Sequence, residues 1–182
     1  LPFSPKIYNK RIFKKMPERG DVIVFKTPAD NRTDYIKRLI GLSGDEIQFI
    51  DGDLYINNSQ IIKTIKTKNE ELYCGNQTIS VNTFEEKLSN GKIYLASYRI
   101  EGTYLNSDKF IVPNDHYFFL GDNRDCSKDS RFLSEVGYVH KNNLVGKARI
   151  LFFSSNPKNG SIFYFWKWRD ILRLSRFFKK IN

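Results

Sequence analysis

Histidine, cysteine and methionine are scarce in this sequence, and each scarcity closes off a class of chemistry. The only histidines are His116 and His140, so neither a histidine-built metal site nor a Ser-His-Asp triad is expected from this chain. Cys74 and Cys126 are the only cysteines. Two are too few for a disulfide scaffold or a zinc cage, they leave the compartment open, and the sequence does not say whether they are paired or free. The single methionine is not residue 1, and a chain that starts LPFSP reads as a fragment or a processed form. No window of about 18 apolar residues is present, so nothing in this chain is long enough to span a bilayer. A secretory leader, an internal repeat and a low-complexity tract are likewise missing. Neither a metal nor a cofactor is expected.

What the chain does have is positive charge at its ends. The net charge is +10, but residues 1–19 and 165–182 each hold six Lys/Arg against one acidic residue. The residues between them carry 18 charges of each sign. A basic groove for nucleic acid would run through the fold, so this distribution argues against nucleic-acid binding. Basic ends flanking a neutral body suit a chain that touches an anionic membrane surface at its edges; solvated ends that only aid solubility are the plainer reading. Residues 165–180 (FWKWRDILRLSRFFKK) space Trp168, Ile171, Leu172, Ser175 and Phe178 along one helical face, with Arg169, Arg173, Arg176 and Lys180 mainly opposite. The spacing predicts a basic amphipathic helix, which would lie at a membrane interface or pack on the sheet.

Elsewhere strand signals dominate. DVIVF at 21–25, YIKRLIGL at 35–42, the runs 46–50 and 53–56 around Asp51-Gly52, and 60–65, 92–98, 110–112, 116–120 and 144–153 are short apolar or alternating stretches punctuated by Gly, Asn and Asp. They predict a mainly antiparallel β protein. Residues 66–91 are polar and weakly patterned. We read 1–50 plus 110–155 as a discontinuous core β-domain, 51–109 as an inserted β subdomain, and 156–182 as a basic aromatic tail.

Two constellations could carry chemistry. In DYIKR (34–38), Lys37 is flanked by Ile36 and by Leu39-Ile40, an apolar setting that costs an ammonium its hydration. Strand alternation sends Tyr35, Lys37 and Leu39 to one face and Ile36, Arg38 and Ile40 to the other, so one of the two cations can face a site while the other reaches solvent or a carboxylate. A solvated, outward Lys37 is the plainer alternative. The second is GDNRDCSKDSR (121–131), which directly follows the apolar run YFFL. Arg124 and Arg131 can fork onto Asp125 or Asp129, and such a network could hold Ser127 rigidly; a salt-bridged surface loop explains the charges but not their density beside YFFL.

RGDVIVF (19–25), DYIKRLIGLSGD (34–45) and GDNRDCSKDSR (121–131), in that order, resemble three boxes of the bacterial type I signal peptidase family. LPF at the start, NLVGKA (143–148) and the basic tail extend the likeness, which covers most of the chain apart from about 57–109. The resemblance implies a membrane-anchored serine endopeptidase that removes signal peptides from exported proteins with a Ser/Lys dyad. The expected fold is an antiparallel β-sheet core of the signal peptidase and SOS-repressor type. The family's location implies the bacterial inner membrane, with the catalytic domain on its outer face, and a monomer is expected. By position, Lys37 matches the dyad base and Ser127 the residue that orients it. Asp129 and Arg131 match the supporting pair, and Asp122 and Arg124 the opening polar residues of the same box. Asp34, Tyr35 and Ile36 match the strand that binds substrate. The family's nucleophile lies in a Ser-Met box upstream of everything here; Ser4, in FSPK, does not match it. This chain alone is therefore expected to be inactive, with its anchor and its nucleophile outside it. Departures include Ser43 where proline is common, a longer stretch after Arg131, and Cys126 beside Ser127, whose thiol is read as incidental. The competing readings are a catalytically inactive peptide-binding β module, a nucleic-acid binder, and a self-cleaving repressor-type peptidase, although no DNA-binding segment is present.

The chemistry turns on the amine. A lysine of ordinary pKa, about 10.4, is almost never neutral at pH 7. Burial without a carboxylate partner lowers that value, and the neutral amine can then serve as a base. A hydroxyl beside it orients the nitrogen without adding the negative charge that would switch the base off.

Overall fold

The computed structural model of the chain describes residues 16–151 and 179–180. The amphipathic helix predicted for the tail, the basic residues before Met16 and the position of Ser4 lie outside the described residues. Within them the chain is β-strand and tight turn. One antiparallel sheet has the order β11 (Val139–His140), β10 (His116–Leu120), β2 (Asp34–Gly41), β1 (Val22–Lys26), β12 (Leu144–Lys147). A second runs β5 (Ser59–Gln60), β4 (Asp53–Ile56), β3 (Glu46–Ile50), β9 (Phe110–Ile111), and a third β6 (Ile62–Cys74), β7 (Gln77–Lys87), β8 (Ile93–Arg99). The second sheet therefore joins β3 and β9, from the segments read as core, to β4 and β5, from the segment read as an insert. The residues from Ala148 onward form a separate compact unit, described only where β13 (Ile150–Leu151) pairs with β14 (Lys179–Lys180).

Alternation along β2 and β10 explains how one sheet carries apolar side chains on both faces. Leu39 packs on one side with Ile23, Phe25, Phe119 and Leu144, whereas Ile40 packs on the other with Ile47, Phe49, Phe118 and Leu120. The sheet thus has a buried cluster on each face, and any polar side chain in the middle of β2 must enter one of them. The β3–β4 hairpin turns at Asp51 and Gly52, both at positive φ (50° and 79°), the conformation that an Asp-Gly hairpin turn demands. The weakly patterned stretch 66–91 proves to be most of a long hairpin, β6 with β7, with irregular register near Thr67 and Glu70. Most of β6 is exposed on both faces and carries no alternation, whereas β7 alternates over Ile79, Val81 and Thr83, which are buried.

Candidate active site

Strand β2 delivers Lys37 and Arg38 to opposite faces, and the 121–131 segment meets both. Lys37 shares its face with Tyr35, whose ring centroid is 5.6 Å from Nζ. The amine donates a hydrogen bond of 2.7 Å to Ser127 Oγ. Burial is the largest influence on its pKa and lowers it. The charges of Asp129 and Asp122 pull upward and that of Arg131 pulls downward, and the balance leaves the amine below the ordinary lysine value. Among the described residues no carboxylate is bonded to Nζ; its partner is a neutral hydroxyl.

Ser127 reaches the amine because Gly121 gives way. A Cβ at residue 121 would lie 2.1 Å from Ser127 Oγ, so only glycine leaves room for the serine side chain there. The carboxylate of Asp129, fully buried, accepts the backbone N–H of Gly121 at 3.0 Å and the guanidinium of Arg131 at 2.8 and 2.9 Å. Arg131 also donates to the carbonyl of Arg124. Ser130 exchanges hydrogen bonds with Phe119, its backbone N–H donating to the carbonyl at 3.0 Å and its hydroxyl accepting from the amide at 2.9 Å. The segment therefore folds back onto β10 and presents one hydroxyl to β2.

On the other face Arg38 forks onto Asp122, with Nε and Nη2 each 2.8 Å from a carboxylate oxygen, and donates to the carbonyl of Gly20 at 2.8 Å. Its guanidinium lies 4.3 Å from the ring centroid of Tyr94. Of the two arginines expected to fork within the segment, Arg131 does so on Asp129, but Arg124 does not. Arg124 leaves the loop, is 1% exposed, and donates to Glu86 Oε2 at 2.7 Å and to Tyr94 at 3.0 Å. Asp125 accepts the backbone N–H groups of Arg99 and Tyr104 and the Thr103 hydroxyl instead. The reason is that Asp129 is already taken by Arg131, while β7 and β8 bring a buried carboxylate and two tyrosine hydroxyls to Arg124. Glu86 accepts from Tyr94 at 2.6 Å and from Tyr98 as well. Burial pushes its carboxyl up, but the charge of Arg124 and the hydrogen bonds more than offset this, and it is held below the ordinary glutamate range. Sequence reasoning missed Glu86, Tyr94 and Tyr98. A signal existed in IYLASYR, where alternation aligns two tyrosines on one face that need polar partners. The thiol of Cys126 is not incidental either, because it forms a disulfide with Cys74.

The residues matched to substrate binding line the start of β2. Asp34 is exposed and paired with Lys26 at 3.2 Å, Tyr35 packs against Phe25, and Ile36 is 54% exposed. β1 pairs with β2 from Asp34 to Arg38, whereas β10 pairs with its other edge from Arg38 onward. Among the described residues that second edge has no strand along Asp34–Lys37, so an open row of backbone groups lies beside the amine. No group of metal-ligating side chains occurs among the described residues.

Residues 4–153 match the family described as signal peptidase, peptidase S26. Signal peptidase I of Rickettsia prowazekii (strain Madrid E) is 40% identical over 191 residues, covering 96% of this chain and 70% of the relative. The same figures hold for signal peptidase I of Rickettsia typhi (strain ATCC VR-144 / Wilmington). A crystal structure of a signal peptidase I from Enterococcus faecalis V583 is 30% identical, with a TM-score of 0.42 over 73% of this chain and 97% of that one.

Proposed function

The chain belongs to the signal peptidase, peptidase S26, family, and from that premise we propose that Lys37 is the general base with which it cleaves signal peptides. The observation that carries this reading is the 2.7 Å bond from a half-buried amine to a hydroxyl rather than to a carboxylate. A neutral Lys37 takes the proton of a serine hydroxyl contributed by the family's upstream box. The serine oxygen attacks the scissile carbonyl, and the ammonium returns the proton to the leaving amine. A water deprotonated by the same amine then hydrolyses the acyl-enzyme and regenerates the serine. Ser127 orients the nitrogen throughout. Asp129 and Arg131 neutralise each other beside it, and Asp122 does the same for Arg38, so the positive charge in the site is balanced without a carboxylate on the amine.

The substrate adds as a strand along the open edge of β2 at Asp34–Lys37, with its side chains alternating toward Tyr35 and Ile36. Small residues one and three positions before the cut suit shallow pockets there. The family is membrane-bound; among the described residues no helix is long and apolar enough to cross a bilayer. In our reading the domain works on the outer face of the inner membrane, as a monomer, with its basic ends against anionic lipid.

The test compares the enzyme extended upstream through the Ser-Met box with its Lys37→Ala variant on a preprotein substrate. Cleavage by the parent and none by the variant is expected. Cleavage by residues 1–182 alone would overturn the upstream nucleophile, and turnover by Lys37→Ala would overturn the base.

A further inference from the structure

The 121–131 segment is tied from both ends, and one residue between the ties bears a covalent bond of its own. β7, β8 and the stretch after β8 hold the first part. The N–H of Ser97 donates to the carbonyl of Asp122 at 2.8 Å, Ser97 bridges to Asn123, Arg124 is buried on Glu86, and Asp125 caps the N–H groups of Arg99 and Tyr104. Asp129 and Arg131 hold the last part. Cys126 and Ser127 lie between these anchors, with Lys128 beyond them exposed and paired only to Glu135 among the described residues. Cys126 is bonded to Cys74, which ends β6 at the tip of the long hairpin, 52 residues away in sequence. The hairpin therefore reaches across and fastens the residue immediately before the serine that meets Lys37.

We propose that the Cys74–Cys126 disulfide is a positioning device for the cleavage reaction: it fixes the backbone at residue 126 so that the Ser127 hydroxyl is held against the Lys37 amine, and reducing it slows catalysis without dismantling the fold. The inference rests on the Lys37–Ser127 reading above. The ion pair and the β8 contacts persist when the disulfide opens, so the segment stays docked, while the Cys126–Ser127 stretch gains freedom to turn the hydroxyl away. Misplacement of this kind acts on turnover rather than on substrate binding, since the open edge of β2 is untouched. Both cysteines are half-buried rather than sealed in the core.

The experiment uses the enzyme extended through its serine, assayed on a preprotein with and without dithiothreitol, with free thiols counted and the near-ultraviolet circular dichroism recorded in each state. Reduction is expected to expose the two thiols, leave the dichroism and KM within about twofold, and lower kcat by about tenfold; reoxidation restores it. A Cys74→Ser/Cys126→Ser variant should be slow from the outset and indifferent to the reductant. Unchanged kcat after reduction, a fully active double variant, or a loss of rate that tracks a collapse of the dichroism signal would each overturn the proposal. Lys37→Ala separates the two readings: if it is inactive in both redox states while the parent ignores the reductant, the disulfide's role fails and the base stands.

Discussion

Replacing Glu86 by alanine strands a charge that no water can reach. Glu86 and Arg124 are each 1% exposed, and their ion pair spans 2.7 Å. The carboxylate also takes both tyrosine hydroxyls, so its removal leaves a buried guanidinium and two buried hydroxyls short of an acceptor. Breaking a buried pair from one side costs about 3–5 kcal/mol. For a chain of this size each kcal/mol lowers the melting temperature by about 2–4 °C, so a fall of about 6–20 °C is expected at neutral pH. Thermal denaturation followed by circular dichroism measures it. Removing both charges, in Glu86→Leu/Arg124→Met, should recover at least half the loss, because well-packed apolar side chains often replace a buried pair without penalty. The pH dependence has a definite sign. The carboxyl of Glu86 is depressed on folding, so its contribution is complete above the ordinary glutamate value and is lost as pH falls through the folded value. The gap between parent and Glu86→Ala should therefore narrow in acid. A variant that melts within about 2 °C of the parent at neutral pH would refute the reasoning.

Gly121→Ala sets a methyl group on the Ser127 hydroxyl; kcat should fall by roughly a hundredfold while KM stays near the parent's, and a parental kcat would mean the serine has another place to stand. Ser127→Ala removes one hydrogen bond from the amine, about 1.5–3 kcal/mol once the amine takes up its proton in the transition state, which corresponds to a tenfold to hundredfold lower kcat in single-turnover assays. Lys37→Met should abolish cleavage yet raise the melting temperature. The amine's pKa is lowered on folding, so its charge costs the folded state stability; the gain from removing it is complete below the folded value and shrinks as pH rises toward the ordinary lysine value, about 10.4.

How much was legible depends on how far apart the partners are. The Asp51-Gly52 hairpin and the strands at 22–26, 34–41 and 116–120 announce themselves through local alternation and turn residues. Lys37 and Ser127 stand 90 residues apart, and in the sequence only the order of the motifs that hold them connects the two. Arg124 is hard to place from sequence because its neighbours there, Asp125 and Asp129, are acidic, whereas its partner in the fold, Glu86, is 38 residues upstream. The β6 arm of the hairpin, which supplies Cys74, is illegible for a different reason. β6 turns polar side chains to water on both faces, so neither a period nor a buried face marks it in the sequence.

The central claim is that Lys37 is neutral often enough to act as a base, and the most direct measurement is its own titration. NMR of the enzyme with isotope-labelled lysine, with Lys37→Met used to assign the resonance, should give a midpoint for the ζ-amine clearly below that of ordinary lysines, about 10.4. A Lys37 that titrates with the surface lysines, or above them, would contradict the account.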